Sequence, residues 1–103
     1  MDAKKISSLI SLCARARGLV SGETACENAI SHNKAKLIIV SADASENTYS
    51  KFSKKAFYYE VNLVRYGFKE ELGKNIGKAA KSVIAVTDCG FARTLTELLR
   101  ELI

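Results

Sequence analysis

Residues 36–41 read KLIIVS, and the four consecutive apolar side chains at its centre constrain the fold more than any other feature. A strand with one wet face alternates apolar and polar residues. A run without alternation, rich in β-branched types, belongs to an interior strand covered on both faces. With 103 residues the chain has room for one domain and a modest core, so the cover has to come from its own helices.

Helical periodicity is present on both sides of that run. Ile6, Leu9, Ile10, Leu12, Cys13 and Ala16 recur at three- and four-residue spacing, which predicts a helix over about 2–17, with Asp2 as N-cap and Gly18 as its stop. LVSG follows as a short strand. Ser21 is placed to cap a second helix to about Asn33, with Ala25, Cys26, Ala29 and Ile30 facing inward. Ser45 caps a third helix bearing Tyr49, Phe52 and Ala56. FYYEVNLV alternates Phe57, Tyr59, Val61 and Leu63 at period two and reads as a strand. KEELGKNIGKAA reads as helix, SVIAVT as strand, and Phe91, Leu95, Leu98, Leu99 and Leu102 mark a last helix, which Asp88 would cap. Helices alternating with strands predict an α/β fold, a three-layer α/β/α sandwich on a four-stranded mixed sheet, with residues 1–103 forming a single domain.

Several functions are disfavoured. Three cysteines with no C-x-x-C pair and one histidine argue against zinc fingers and a disulfide framework, and fit small buried residues in a reducing compartment. No apolar run is long enough for a membrane span, and the first twenty residues lack a signal-peptide core, so the expected location is cytoplasmic. EELGKNIGKAAKS resembles a phosphate loop only at first sight. Gly73 and Gly77 enclose one residue too few, and Ala79 stands where a hydroxyl should. Read as helix, the segment sets Lys74, Lys78 and Lys81 at i, i+4 and i+7 on one face, while Gly73 and Gly77 leave a smooth strip for a close backbone. No cofactor, metal or small-molecule substrate is expected.

Charge points elsewhere. The net charge is +5, and residues 51–81 hold eight basic residues against three acids, Glu60, Glu70 and Glu71. A basic excess of this kind suits a polyanion, most simply RNA or DNA.

Four ordered blocks, RARGLVSGE (15–23), AKLIIVSADAS (35–45), EELGKNIGKAA (70–80) and VIAVTDCGFA (83–92), give the chain its family likeness. Together they resemble the ribosomal protein L7Ae family of kink-turn RNA binders, which includes L30e, and are most similar to its small bacterial branch. The resemblance implies an α/β/α sandwich that binds folded, kink-turn-like RNA without catalysis, in or near the ribosome. The RNA would lie on the N-terminal end of the second helix and on the loop before the last helix. Gly22 matches the glycine that lets the RNA approach the backbone. Ser21, Glu23, Thr24, Asn28 and His32 would complete the first half of the site, Lys74 and Lys78 would add charge, and Thr87, Asp88, Cys89, Gly90 and Phe91 would form the second.

The match is incomplete where bases are read. Kink-turn binders of the family carry an Asn-Glu pair and then a lysine; this chain has Thr24, Ala25 and Asn28 there, and His32 stands where arginine is common. In the second half, Gly90 permits a positive φ, and Phe91 either begins the apolar stripe of the last helix or stacks on a base. Two further readings stay open beside RNA binding: a protein-interaction module on the same fold, and a small enzyme or nucleotide binder.

Overall fold

The computed structural model describes residues 2–101. Its elements in chain order are α1 (Asp2–Arg15), β1 (Leu19–Ser21), α2 (Glu23–Ser31), β2 (Leu37–Val40), α3 (Glu46–Tyr59), β3 (Asn62–Arg65), α4 (Lys69–Asn75), β4 (Val83–Val86) and α5 (Cys89–Glu101). The side chain of Asp2, and Leu102, lie outside the described residues. The four strands form one sheet in the order β1-β4-β2-β3. β2 and β3 are parallel, while β4 runs antiparallel to both its neighbours. The expected α/β/α sandwich with a mixed sheet is therefore present.

Both interior strands are buried along their whole length. Leu37, Ile39, Ile84 and Val86 point to one face and pack against Ile6, Ile10 and Cys13 of α1, Leu72 of α4, and Leu95 and Leu99 of α5. Ile38, Val40, Val83 and Ala85 point to the other face, against Cys26, Ala29 and Ile30 of α2 and Phe52 and Ala56 of α3. Burying each large side chain contributes roughly 1.5–3 kcal/mol, and the two-sided cover doubles the number that β2 and β4 can contribute. Leu12 is half exposed and Ala16 exposed, so the buried stripe of α1 is narrower than its periodicity suggests.

The helix ends account for the main departures from the sequence reading. Residues 57–60 are not strand: α3 runs on to Tyr59, and Glu60 turns the chain in the left-handed region at φ 58°. The amide of Val61 then bonds the Ala56 carbonyl and that of Glu60 the Phe57 carbonyl, closing the last turn. Arg17 (φ 59°) and Asn33 (φ 59°) do the same after α1 and α2. Gly18 is thus not the residue that stops α1. It is a packing glycine, because a Cβ there would lie 3.0 Å from both the Asp88 Cβ and the Cys13 Sγ.

α4 is also shorter than expected. It ends at Asn75, and Gly77 (φ 72°) reverses the chain while the Lys78 amide bonds the Gly73 carbonyl at 2.8 Å. The close approach expected over Gly73 does occur, but to the chain's own next segment: a Cβ on Gly73 would collide with the Ala79 carbonyl group. Gly77 has nothing within 4 Å. The smooth strip and the three-lysine helical face are therefore absent.

Candidate nucleic-acid interface

β1, β2 and β3 run in the same direction, so their C-terminal ends meet the start of β4 at one edge of the sandwich. Open α/β sheets bind their ligands just outside the C-terminal ends of their parallel strands. Here that edge carries Gly22, the loop 41–45, the turn 66–68 and the segment 77–82.

Gly22 ends β1 and opens α2. Its backbone, at φ 89° and ψ 157°, lies in a region that essentially only glycine occupies. The Gly22 amide bonds the Val83 carbonyl at 3.0 Å, which pins the turn to the start of β4. Ser21 is the last residue of β1 and does not cap α2: Gly22 takes that position, and no side chain accepts from the first amides of the helix. The other strand-following helices are capped. Ser45 Oγ accepts from the Thr48 amide at 3.1 Å, Asp43 Oδ1 from Lys69 at 3.0 Å, and Asp88 Oδ1 from Phe91 at 2.9 Å. α2 has no such side-chain acceptor, and bare N–H donors at a helix start attract anions.

The two acids of α2 oppose this by charge, but α3 takes them up. Lys51 Nζ lies 2.6 Å from Glu23 Oε1 and 3.3 Å from Glu27 Oε2, and the Thr48 hydroxyl donates to Glu23 Oε2 at 3.1 Å. The bond from Lys51 holds the Glu23 carboxyl below its ordinary pKa, and the same bond raises that of Lys51. Glu23 is thereby tied to Lys51 and Thr48 of α3. Thr24, Asn28 and His32 are exposed at four-residue spacing along α2, and Ala25 is half-buried. His32 is the C-cap of this nine-residue helix, roughly 15 Å along its axis from Gly22. Its Nδ1 lies 2.7 Å from the Asn28 carbonyl oxygen.

The expected second half of the site, Thr87 to Phe91, lies apart from Gly22. Thr87 and Asp88 donate their amides to the Gly18 carbonyl, at 2.7 and 3.2 Å, at the opposite end of β4 from Gly22. Asp88 caps α5 as expected; Cys89 and Gly90 are exposed within its first turn, and Gly90 has no positive φ. Phe91 is half-buried and packs against the α1 and α5 core. Four residues of strand, roughly 10 Å, separate this loop from the Gly22 end.

What meets Gly22 instead is the segment before β4. Lys81 anchors its amide to the Lys69 carbonyl at 2.9 Å, and its Nζ lies 3.9 Å from where a Gly22 Cβ would be. Lys78 is exposed in the same segment. Lys74 faces another way, lining a groove with Arg15 between α1 and α4. Lys81 was legible only as part of a helical face; its true neighbour follows from the antiparallel pairing of Ser21 with Ile84, a contact spanning more than sixty residues. Cys26 lies beneath the turn, and burial pushes its thiol up to about 12. Among the described residues no cluster of three potential ligands could hold a metal ion.

The fold and this edge define an α/β/α domain with an anion-receptive strand–helix turn. The chain belongs to the ribosomal protein L7Ae/L30e/S12e/Gadd45 family, whose pattern it matches over residues 4–96. It is 44% identical over 91 residues to the RNA-binding protein YlxQ of Bacillus subtilis (strain 168), covering 88% of this chain and 91% of that protein. It is 40% identical over 98 residues to the RNA-binding protein YlxQ of Enterococcus faecium, covering 95% and 94%. A protein of unknown function from Bacillus halodurans C superposes with a TM-score of 0.90 at 38% identity, over 93% of this chain and 97% of that one. The Giardia lamblia 15.5kD RNA binding protein shares the fold, with a TM-score of 0.81 at 17% identity over 97% and 86%.

Proposed function

We propose that this chain is a non-enzymatic RNA-binding protein that recognises folded, kink-turn-like RNA through the edge carrying Gly22 and Lys81, as part of ribosomal or ribosome-associated particles. The observation that carries the reading is the uncapped start of α2: a side-chain-free turn, bare amides and a lysine ammonium converge on one spot. A phosphate or a base edge can approach that backbone directly, and irregular RNA is the ligand whose splayed bases a rigid edge can read. The names of the relatives support this reading. The whole chain acts as one domain. Its two buried, unpaired cysteines suit the reducing cytoplasm, and no described helix is long and apolar enough to cross a membrane.

Recognition rests more on backbone and charge than in relatives with the full polar set, because Thr24, Ala25 and Asn28 offer neither carboxylate nor cation. Titration of a kink-turn RNA against a duplex of equal length tests this. The kink-turn should bind better, Gly22→Val should abolish the preference, and Thr24→Asn/Ala25→Glu/Asn28→Lys should tighten binding about tenfold through charged hydrogen bonds. Equal, weak binding of both RNAs would favour a protein-interaction module instead.

A further inference from the structure

The edge opposite Gly22 carries a feature that folded-RNA recognition does not use. Phe57 and Tyr58, in the last turn of α3, are 88% and 78% exposed, so neither ring holds the fold together. Tyr58 is braced edge-on by Tyr59, with ring centroids 4.9 Å apart, and Tyr59 packs against the α2/α3 core. Two adjacent exposed rings are costly for solubility unless something covers them.

Their surroundings indicate what that is. The groove at Phe57 and Tyr58 reaches Asn62, which also lines a second groove with Lys36, Arg93 and Arg100. A third groove connects Lys36 back to Tyr59, and Lys55 lies 5.9 Å from the Tyr59 ring. The acids on this surface are Glu60 and Glu97, against the four cations. Lys36, Arg93 and Arg100 form no ion pair among the described residues, where Lys51 alone does so. Flat aromatic faces beside a shallow cationic track are the recurring means of holding single-stranded nucleic acid: bases stack, and cations follow the phosphates. A protein partner would favour a deeper apolar pocket than the charged groove along Lys36, Arg93 and Arg100 provides.

We propose that this surface is a second RNA site, which takes an unpaired RNA segment with bases on Phe57 and Tyr58 and phosphates along Lys36, Arg93 and Arg100. It is independent of the Gly22 edge and binds without a folded element. The test is fluorescence anisotropy of the full chain with a labelled, unstructured RNA of about ten nucleotides, within the range one such groove accommodates. Phe57→Ser/Tyr58→Ser should weaken binding about tenfold or more while leaving the circular dichroism spectrum and kink-turn affinity unchanged. Phe57→Tyr/Tyr58→Phe, which keeps both rings, should bind as the natural protein does. Lys36→Ala/Arg93→Ala/Arg100→Ala should lower affinity and reduce the slope of log K against log salt by about 2. Gly22→Val should leave this binding intact even if it removes kink-turn recognition, so the two sites fail separately. The proposal is overturned if the serine pair binds the oligonucleotide as well as the natural protein, if the oligonucleotide does not bind, or if only changes at Gly22 and Lys81 affect it.

Discussion

The two ends of β4 are built from the same parts and put them to different uses. At each end a strand meets a helix N-terminus near a glycine. At the Asp88 end the carboxylate closes the first turn of α5, and Gly18 lets that loop settle onto α1. At the Gly22 end no side chain closes α2, and the nearest polar group is a lysine. A capped helix start is finished within the fold; an uncapped one leaves donors for a ligand. The contrast lies in these two helix starts: Asp88 closes α5, and no side chain closes α2.

The sharpest way to break the binding end is from beneath. Gly73→Ala should destabilise the protein by about 3 kcal/mol, because the new methyl group meets main chain that cannot turn aside. Urea unfolding checks this, and a loss below about 1 kcal/mol would show that the segment 77–82 is looser than described. Next comes a crossed pair. Asp88→Ala should cost about 1 kcal/mol of stability with folded-RNA affinity intact. Lys81→Ala should weaken that affinity several-fold with the melting temperature intact. If Asp88→Ala instead impaired RNA binding, the division between the two ends would collapse.

A smaller effect, of opposite sign, is expected at Glu60. Glu60→Gly should stabilise by roughly 0.5–1 kcal/mol, since it relieves a left-handed residue at the end of α3. The smallest concerns acid. Pairing with Lys51 holds the Glu23 carboxyl below its ordinary 4.5, so its contribution is complete above that pH and fades as pH falls through the lowered value. The salt dependence of RNA binding should change over the same window, because Lys51 is then released to contact phosphate. Glu23→Gln should remove both responses.

How much was legible follows from which contacts are local. LIIV could be recognised because burial on both faces leaves an unbroken apolar run, and Ser45 and Asp88 could be recognised as caps because each acts three residues ahead. The α3–β3 boundary was hidden by Glu60. A glutamate in the left-handed region carries no mark in the sequence, and the alternation of FYYEV imitated a strand. α4 was overextended because its stop, Gly77, looked like a helical neighbour of Gly73. The partnership of Gly22 with Lys81 was beyond reach, since it depends on the direction in which β4 enters the sheet. The same direction sends Thr87–Phe91 to the far end.

That strand order also sets a timetable. β4 lies between β1 and β2, yet it is the last strand in the chain. In a nascent chain that has exposed only residues 1–82, one flank of β2 has no partner strand and β1 has no neighbour. Non-local pairings of this kind form slowly. At roughly 5–20 residues per second of synthesis, the four residues of β4 follow within about a second. The Gly22 edge, whose turn is pinned by Val83, cannot close until β4 has been inserted. The Gly22 turn therefore takes its final form only once the sheet is complete.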